Sequence, residues 1–415
     1  MSRNYKFHNP EEYVYSSAVD YADQKGFIDD VLVFTMLNRK TLQTHTTHKK
    51  TGQADIVTVE HYDYDHAGRL LTQKQTLNGQ AQELISENHY DALGQLESKG
   101  VGGATTTSTP LQTIDYTYNV RGWLKRINTP GALGDDLFGF ELNYNTPQGL
   151  SSWYNNPLYN GNISHVTWQT NNIDTKQRHY SYKYDAMNRF THAYYAENTQ
   201  YNNKYNAYIY GYDRNGNIGL LVRYGQNPNN QNYGYPMDYL KYTYDEGNQL
   251  TGVKDHYNNT TANSMGGFVD KNTTGDDYTY DANGNMTADK NKHITKIEYN
   301  HLNLPTKITK GAESLSYKYD ATGQKLEKQL FDLSTWTPTT TTTQYAGNYI
   351  YENNTLKFFS HPEGYVEPST TGFDYVYQYK DHLGNVRLSY SDMNKDGVVA
   401  SLPHESFRVV IKKSN

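Results

Sequence analysis

Two short segments have residue types and spacing that could do chemistry. Asp381, His382 and Arg387 place a carboxylate, an imidazole and a guanidinium within seven residues, the makings of an acid–base group. The same stretch also reads as a turn. An aspartate caps a nearby backbone N–H, and Gly384, three residues on, supplies a positive φ. Turn chemistry explains both fixed positions without a reaction, so Asp381-His382-Leu383-Gly384-Asn385-Val386-Arg387 is read as structural. The second segment, Asp392-Met393-Asn394-Lys395-Asp396-Gly397, has the oxygen donors and the glycine of half a calcium loop. Its twelfth position, where a bidentate carboxylate belongs, is Pro403, with Glu405 two residues later. A polar loop without metal is expected; if calcium binds, Asp392, Asn394 and Asp396 are its ligands. His45 and His48 are three apart and would share a metal only on a helix, whereas their Thr-rich surroundings favour a strand.

Several other chemistries are excluded. The chain has no cysteine, which removes disulfides, thiolate zinc sites and cysteine nucleophiles. A Gly-x-Ser-x-Gly elbow, a phosphate-binding Gly-rich Lys loop and His-Glu-x-x-His are absent. The net charge of -6 gives no basic surface for nucleic acid. The best apolar run, Val31 to Leu37, is too short to span a bilayer, and no export signal is recognisable. The expectation is a non-enzyme with no membrane span and no cofactor beyond that calcium.

The element that carries these residues is a repeat. Tyr, then Asp or Asn, two free positions, Gly or Asn, one free position and usually an apolar residue recur along the chain. The unit appears as Tyr64-Asp65-His66-Ala67-Gly68-Arg69-Leu70 and Tyr90-Asp91-Ala92-Leu93-Gly94-Gln95-Leu96. Further copies begin at Tyr118, Tyr184, Tyr212 (with Asp213 and Gly216), Tyr244, Tyr280 (with Asp281 and Gly284), Tyr299 and Tyr319. The copy at Asp381 and Gly384 has Lys380 in the tyrosine's place. Across the ten copies the fifth position is always Gly or Asn, the residues that best tolerate the left-handed region. That pattern predicts a hairpin built from a type I turn plus a bulge.

The strand feeding each turn often reads Tyr-x-Tyr, as at Tyr182/Tyr184 and Tyr242/Tyr244. Residues two apart share a strand face, so each pair makes a two-ring stripe, expected to be largely buried. With 42 Tyr and 12 Phe, the chain can build a core that its mean hydropathy of -0.90 conceals. Start-to-start spacings such as Tyr64 to Tyr90 (26 residues), Tyr212 to Tyr244 (32) and Tyr280 to Tyr299 (19) fit hairpins added one after another to a continuous antiparallel sheet that coils as twist accumulates. The fold class is therefore all-β. Short helices are expected only near Pro10 to Tyr21. Gly225 to Gln231 and Asn258 to Asp277 read as loops, Thr339 to Thr343 as a strand edge or loop, and Phe407 to Ile411 as an exposed edge.

These repeats, with the Asp381 to Arg387 motif, resemble the RHS/YD-repeat proteins and their RHS repeat-associated core. Tyr345-Ala346-Gly347-Asn348-Tyr349-Ile350-Tyr351 through His361-Pro362-Glu363-Gly364-Tyr365 is similar to the bacteroidete form of that core. The resemblance implies a spiralling β-shell that in full-length members encloses a C-terminal toxin, released by self-cleavage at an Asp-Pro motif. Here none of the twelve prolines follows an aspartate. Lys6 to Tyr13, Tyr15 to Tyr21 and Gly26 to Val31 resemble the C-terminal tail of REP-associated tyrosine transposases, but no two histidines lie two apart as that catalytic pair requires.

The chain is thus divided into a transposase-tail-like segment (1–37), a YD-repeat array (38–330) and a truncated core (331–415). The expected role is a structural, encapsulating β-shell module of a polymorphic-toxin or cell-surface protein, without toxin domain. A surface module binding glycans or a target cell through Tyr and Asp is the alternative, and a DNA transposase remnant the least favoured. The resemblance implies an extracellular or surface location; without a signal of its own the chain would stay in the cytoplasm.

Overall fold

The structure is a computed structural model that describes residues 40–397, apart from 106–108, 147–153, 155, 172–173, 199, 334–336 and 393–395. Residue 399 and the strand backbones Glu12–Ser16 and Phe27–Leu37 are also described. The expected edge at 407–411 and most of the transposase-like segment lie outside these residues.

The fold is almost all antiparallel strand, in one sheet of 18 strands and a second of 12. Nearly every strand pairs with its neighbours in sequence, hairpin after hairpin. In most repeat hairpins the register shifts just before the tyrosine, and Tyr then faces the residue six positions on, usually an apolar one. Tyr64 opposes Leu70, Tyr90 opposes Leu96, Tyr244 opposes Leu250 and Tyr280 opposes Met286. Such a bulge bends the strand and raises its twist, as a coiling sheet requires.

One local expectation needs correction. Glu12–Ser16 is a strand paired with Val31–Thr35, not a helix, in keeping with its aromatic and β-branched residues. The helix among the described residues is the single turn Thr260–Ser264, capped by Asn259. Thr339 to Thr343 opens the strand Thr339–Ala346 and is a strand edge as expected: Thr339 to Thr342 have a strand partner on one side only, and Thr343 is the first of the run paired on both. The paired Tyr182, Tyr184, Tyr242 and Tyr244 each keep only part of the side chain open to solvent. Tyr210 is 52% exposed.

Among the described residues the ladder is interrupted at one place. Between Leu250–Asp255 and Tyr278–Tyr280 the chain makes a polar insert instead of a hairpin. The free edge of Leu250–Asp255 is capped by side chains: Asp277 Oδ2 accepts from Val253 N at 2.6 Å, and Asp270 Oδ2 from Asp255 N at 3.2 Å. Two carboxylates thus replace a partner strand's carbonyls. By contrast, pairing runs unbroken from Lys325–Asp332 into Thr339–Ala346.

The core lies where the two sheets meet. Val101, Ile114, Ile127, Phe138, Phe140 and Leu142 pack against Tyr377, Tyr379, Leu388 and Tyr390. A second cluster joins Ile56 and Leu77 to Tyr349, Tyr351, Phe359 and Val366. The C-terminal strands therefore seat on the first hairpins, about 300 residues away in sequence, as the His48–Tyr351 separation of 303 shows.

Candidate functional site

Each repeat turn is built alike. In the Asp91 turn, Gly94 N donates to Asp91 O at 3.0 Å, Asp91 N donates to Gln95 O at 2.9 Å, and Asp91 Oδ1 accepts from Leu93 N and Gln95 N. Asp213, Asp281 and Asp381 accept from the same pair of N–H groups, and Asp65 accepts from Arg69 N. Backbone donors of this kind, with Arg69 alongside, hold the Asp65 carboxyl down at about 2. Those of Asp213 and Asp281 also lie below the usual range, with amide donors from Asn217 and Asn285 respectively opposing desolvation. The fifth-position residues lie at positive φ: Gly68 at 88°, Gly94 at 84°, Gly216 at 91°, Gly284 at 84°, Gly384 at 80°, and Asn188, Asn248 and Asn303 at 62°, 65° and 58°.

The geometry adds two roles that composition did not reveal. First, the repeat tyrosine hydroxyl is a latch, donating to the carbonyl of the residue that closes the preceding hairpin. Tyr90 reaches Leu70 O (2.9 Å), Tyr212 Phe190 O (2.5 Å), Tyr244 Ile218 O (3.0 Å) and Tyr319 Pro305 O (2.9 Å). Tyr280 reaches Leu250 O at 2.7 Å across the break in the ladder. Second, the left-handed asparagines are acceptors. Asn248 Oδ1 takes hydrogen bonds from Asn215 and Asn217, and Asn303 Oδ1 from Asn283 and Asn285, so successive turn tips are tied along one rim.

The Asp381 segment is not arranged for acid–base work. Both oxygens of Asp381 are occupied by backbone and Asn385 donors, and Arg387 is 3.8 Å from it. His382 packs toward the Phe140 ring, Arg387 lies over Trp168, and Leu383 is exposed. In the half calcium loop, Asp392 Oδ1 accepts from Asp396 N and Oδ2 from Gly397 N. Asn394 lies outside the described residues. Among the described residues no three His, Asp or Glu side chains converge as a metal cluster. His45 is exposed while His48 is buried, since residues three apart on a strand face opposite ways.

The seam between the sheets holds several buried polar groups, and local sequence gave no signal for it. His48 stacks on Tyr349 with centroids 3.7 Å apart and shares a 2.9 Å hydrogen bond with Tyr351 Oη. Tyr377 donates to Glu83 (2.8 Å), Tyr379 donates to Gln112 (2.8 Å), and Lys99 pairs with Glu363 (2.8 Å). Beside that pair lies a cavity of about 170 Å³, lined in part by Tyr116, Gln378 and Lys380. Burial drives the Tyr377 and Tyr390 hydroxyls well above their usual range and lowers His361, packed against Tyr375 and Tyr377, to about 4. These groups join surfaces; no nucleophile, base and anion-binding group meet in an open cleft among them.

No protein-family model matches the chain, and no curated protein does. Solved structures do. TcdB2-TccC3 without its hypervariable C-terminal region matches over 90% of this chain and 20% of that one, at TM-score 0.55 and 15% identity. TcdB2-TccC3 matches over the same shares at TM-score 0.56 and 14% identity. The Photorhabdus luminescens Tc holotoxin pore, bearing a TccC3 mutation, matches over 89% and 19%, at TM-score 0.56 and 15% identity. The chain spans about a fifth of the length of these solved chains. What it shares with them is the fold, an all-β shell-like architecture built hairpin by hairpin.

Proposed function

We propose that this protein is a structural wall, a non-catalytic segment of an RHS-type β-shell whose larger assembly encloses a toxin or effector. One observation carries the reading: the chain closes on itself. Its C-terminal strands bury Tyr351, Tyr377, Tyr379 and Tyr390 against the first hairpins. Buried rings and charges that join distant segments suit a wall, whereas a catalyst needs reactive groups open to substrate. The resemblance to secreted RHS proteins supports work outside the cell or at its surface. The reading is tested by fusing an unstructured, protease-sensitive reporter to the C-terminus and digesting with a small protease and with the same protease on beads. Protection of the reporter relative to a free peptide is expected. Cleavage at the free-peptide rate by both forms would remove the enclosing role.

A second reading, glycan binding, is favoured by one feature. His192, Tyr194, Tyr208, Tyr210 and Tyr224 form a run of ring contacts, with centroids 5.3–6.0 Å apart, that stays partly open to solvent. Open aromatic faces suit sugar rings. Glycan-array binding lost in Tyr210→Ala would establish it; no binding would leave the wall reading alone.

A further inference from the structure

The polar insert that interrupts the ladder buries more negative charge than its partners satisfy. Asp255 and Asp270 are each only 6% exposed. Asp255 Oδ1 accepts from Tyr239 N (2.9 Å) and Tyr257 N (3.0 Å), and Asp270 Oδ2 accepts from Asp255 N. Their other oxygens, Asp255 Oδ2 and Asp270 Oδ1, are buried and receive no hydrogen bond. A third buried oxygen without a donor, Asn263 Oδ1, lies in the same insert. The three are tied together: Asn263 Nδ2 donates to Asn258 Oδ1 at 3.4 Å, and Asn258 Nδ2 donates to Asp270 O at 2.6 Å. Asp277, which caps the next N–H of the same strand edge, adds its charge nearby.

Buried anionic oxygens without donors are unfavourable unless a proton or a cation sits against them. We propose that this insert binds a hard divalent cation of the calcium class through Asp255, Asp270 and Asn263, fastening the insert to the edge of Leu250–Asp255 where backbone pairing is missing. The donors are all oxygen, which disfavours soft metals, and an irregular loop suits the flexible coordination of calcium better than the strict octahedron of magnesium. With two carboxylates the site resembles weak modules whose affinity is on the order of 10⁻⁴–10⁻³ M. The competing compensation is a proton on Asp270, whose carboxyl is raised by burial and by the charges of Asp277 and Asp255, against hydrogen bonding from Asp255 N.

Terbium separates these accounts, because Tyr239 and Tyr257 beside the site can sensitise its emission. Full-length protein should show tyrosine-excited terbium luminescence that millimolar calcium displaces. Asp255→Asn and Asp270→Asn keep an acceptor oxygen for the capping bonds yet should abolish the signal, while Asp392→Asn should leave it intact. Absence of calcium-displaceable emission, its survival in both asparagine variants, or its loss in Asp392→Asn overturns the site. Should the variants not fold, calcium must still raise the melting temperature of the unaltered protein more than equal magnesium. An equal or absent shift overturns the proposal.

Discussion

Tyr244 is bound by its hydroxyl as much as by its ring. The ring is half-buried and the hydroxyl donates to Ile218 O of the preceding hairpin. Removing it leaves a carbonyl at the hairpin junction without its donor, so Tyr244→Phe should cost about 1 kcal/mol in urea unfolding. Tyr210→Phe, at an exposed ring, should stay within about 0.5 kcal/mol; equal costs at the two sites would refute the latch. Acid probes the same scale. His361 and His165 sit at about 4, lowered by burial, with His179 adding to the effect at His165. An unfolded histidine protonates near about 6.5, so the unfolded chain takes up protons that the native one refuses. Stability should therefore fall from pH 6.5 to 4. It should fall again below about 4, as turn aspartates such as Asp65, depressed to about 2, lose the charge their caps favour. A urea midpoint flat between pH 6.5 and 4 would contradict the burial of these histidines. The turn positions were legible in sequence because φ > 0 is a local demand that Gly and Asn meet. The hydroxyl's recipient lies in another hairpin, at a distance that changes with each period, and no fixed spacing announces it.

At the scale of elements, hairpins differ in how much they bury. The strands Ile294–Tyr299, Pro305–Lys310 and Glu313–Tyr319 contain no fully buried residue, whereas Gly372–Lys380 holds Val376, Tyr377 and Tyr379 in the core. Local opening should follow that difference. In hydrogen exchange, amides of 305–319 should exchange faster than those of 372–380, although both sets belong to strands paired on each side in the same sheet. Uniform protection would show one cooperative sheet with no weak segment. Strand identity was readable from Tyr-x-Tyr alternation and turn signals. The interruption at 256–277 was readable only as a loop, because what replaces the missing strand is a pair of aspartate side chains brought back to the edge. Thr339 to Thr343 was readable as a strand edge because a run of one polar residue has no alternation, while β-branched threonine still suits a strand.

On the scale of the whole molecule, the seam decides whether the chain is one body or two. Val366 is fully buried in the cluster that also holds Ile56, Leu77 and Phe359. An aspartate there would place an unpaired charge among apolar side chains, which destabilises strongly. Each strand at the seam also keeps its own hairpin partners, as Gly364–Ser369 does with Gly372–Lys380. Val366→Asp should therefore undock the C-terminal strands from the first hairpins and leave much of the local pairing in place. The measurable result is a larger hydrodynamic radius, binding of a hydrophobic dye and new proteolysis within 344–390, with the far-ultraviolet β signal largely kept. Complete unfolding in a single step would show instead that the fold is stable only with the seam closed. Nothing in the repeat pattern distinguishes these outcomes, since the residues that meet at the seam, such as Tyr377 and Glu83, are 294 apart in the chain. They are brought together only by the accumulated twist of the hairpins between them.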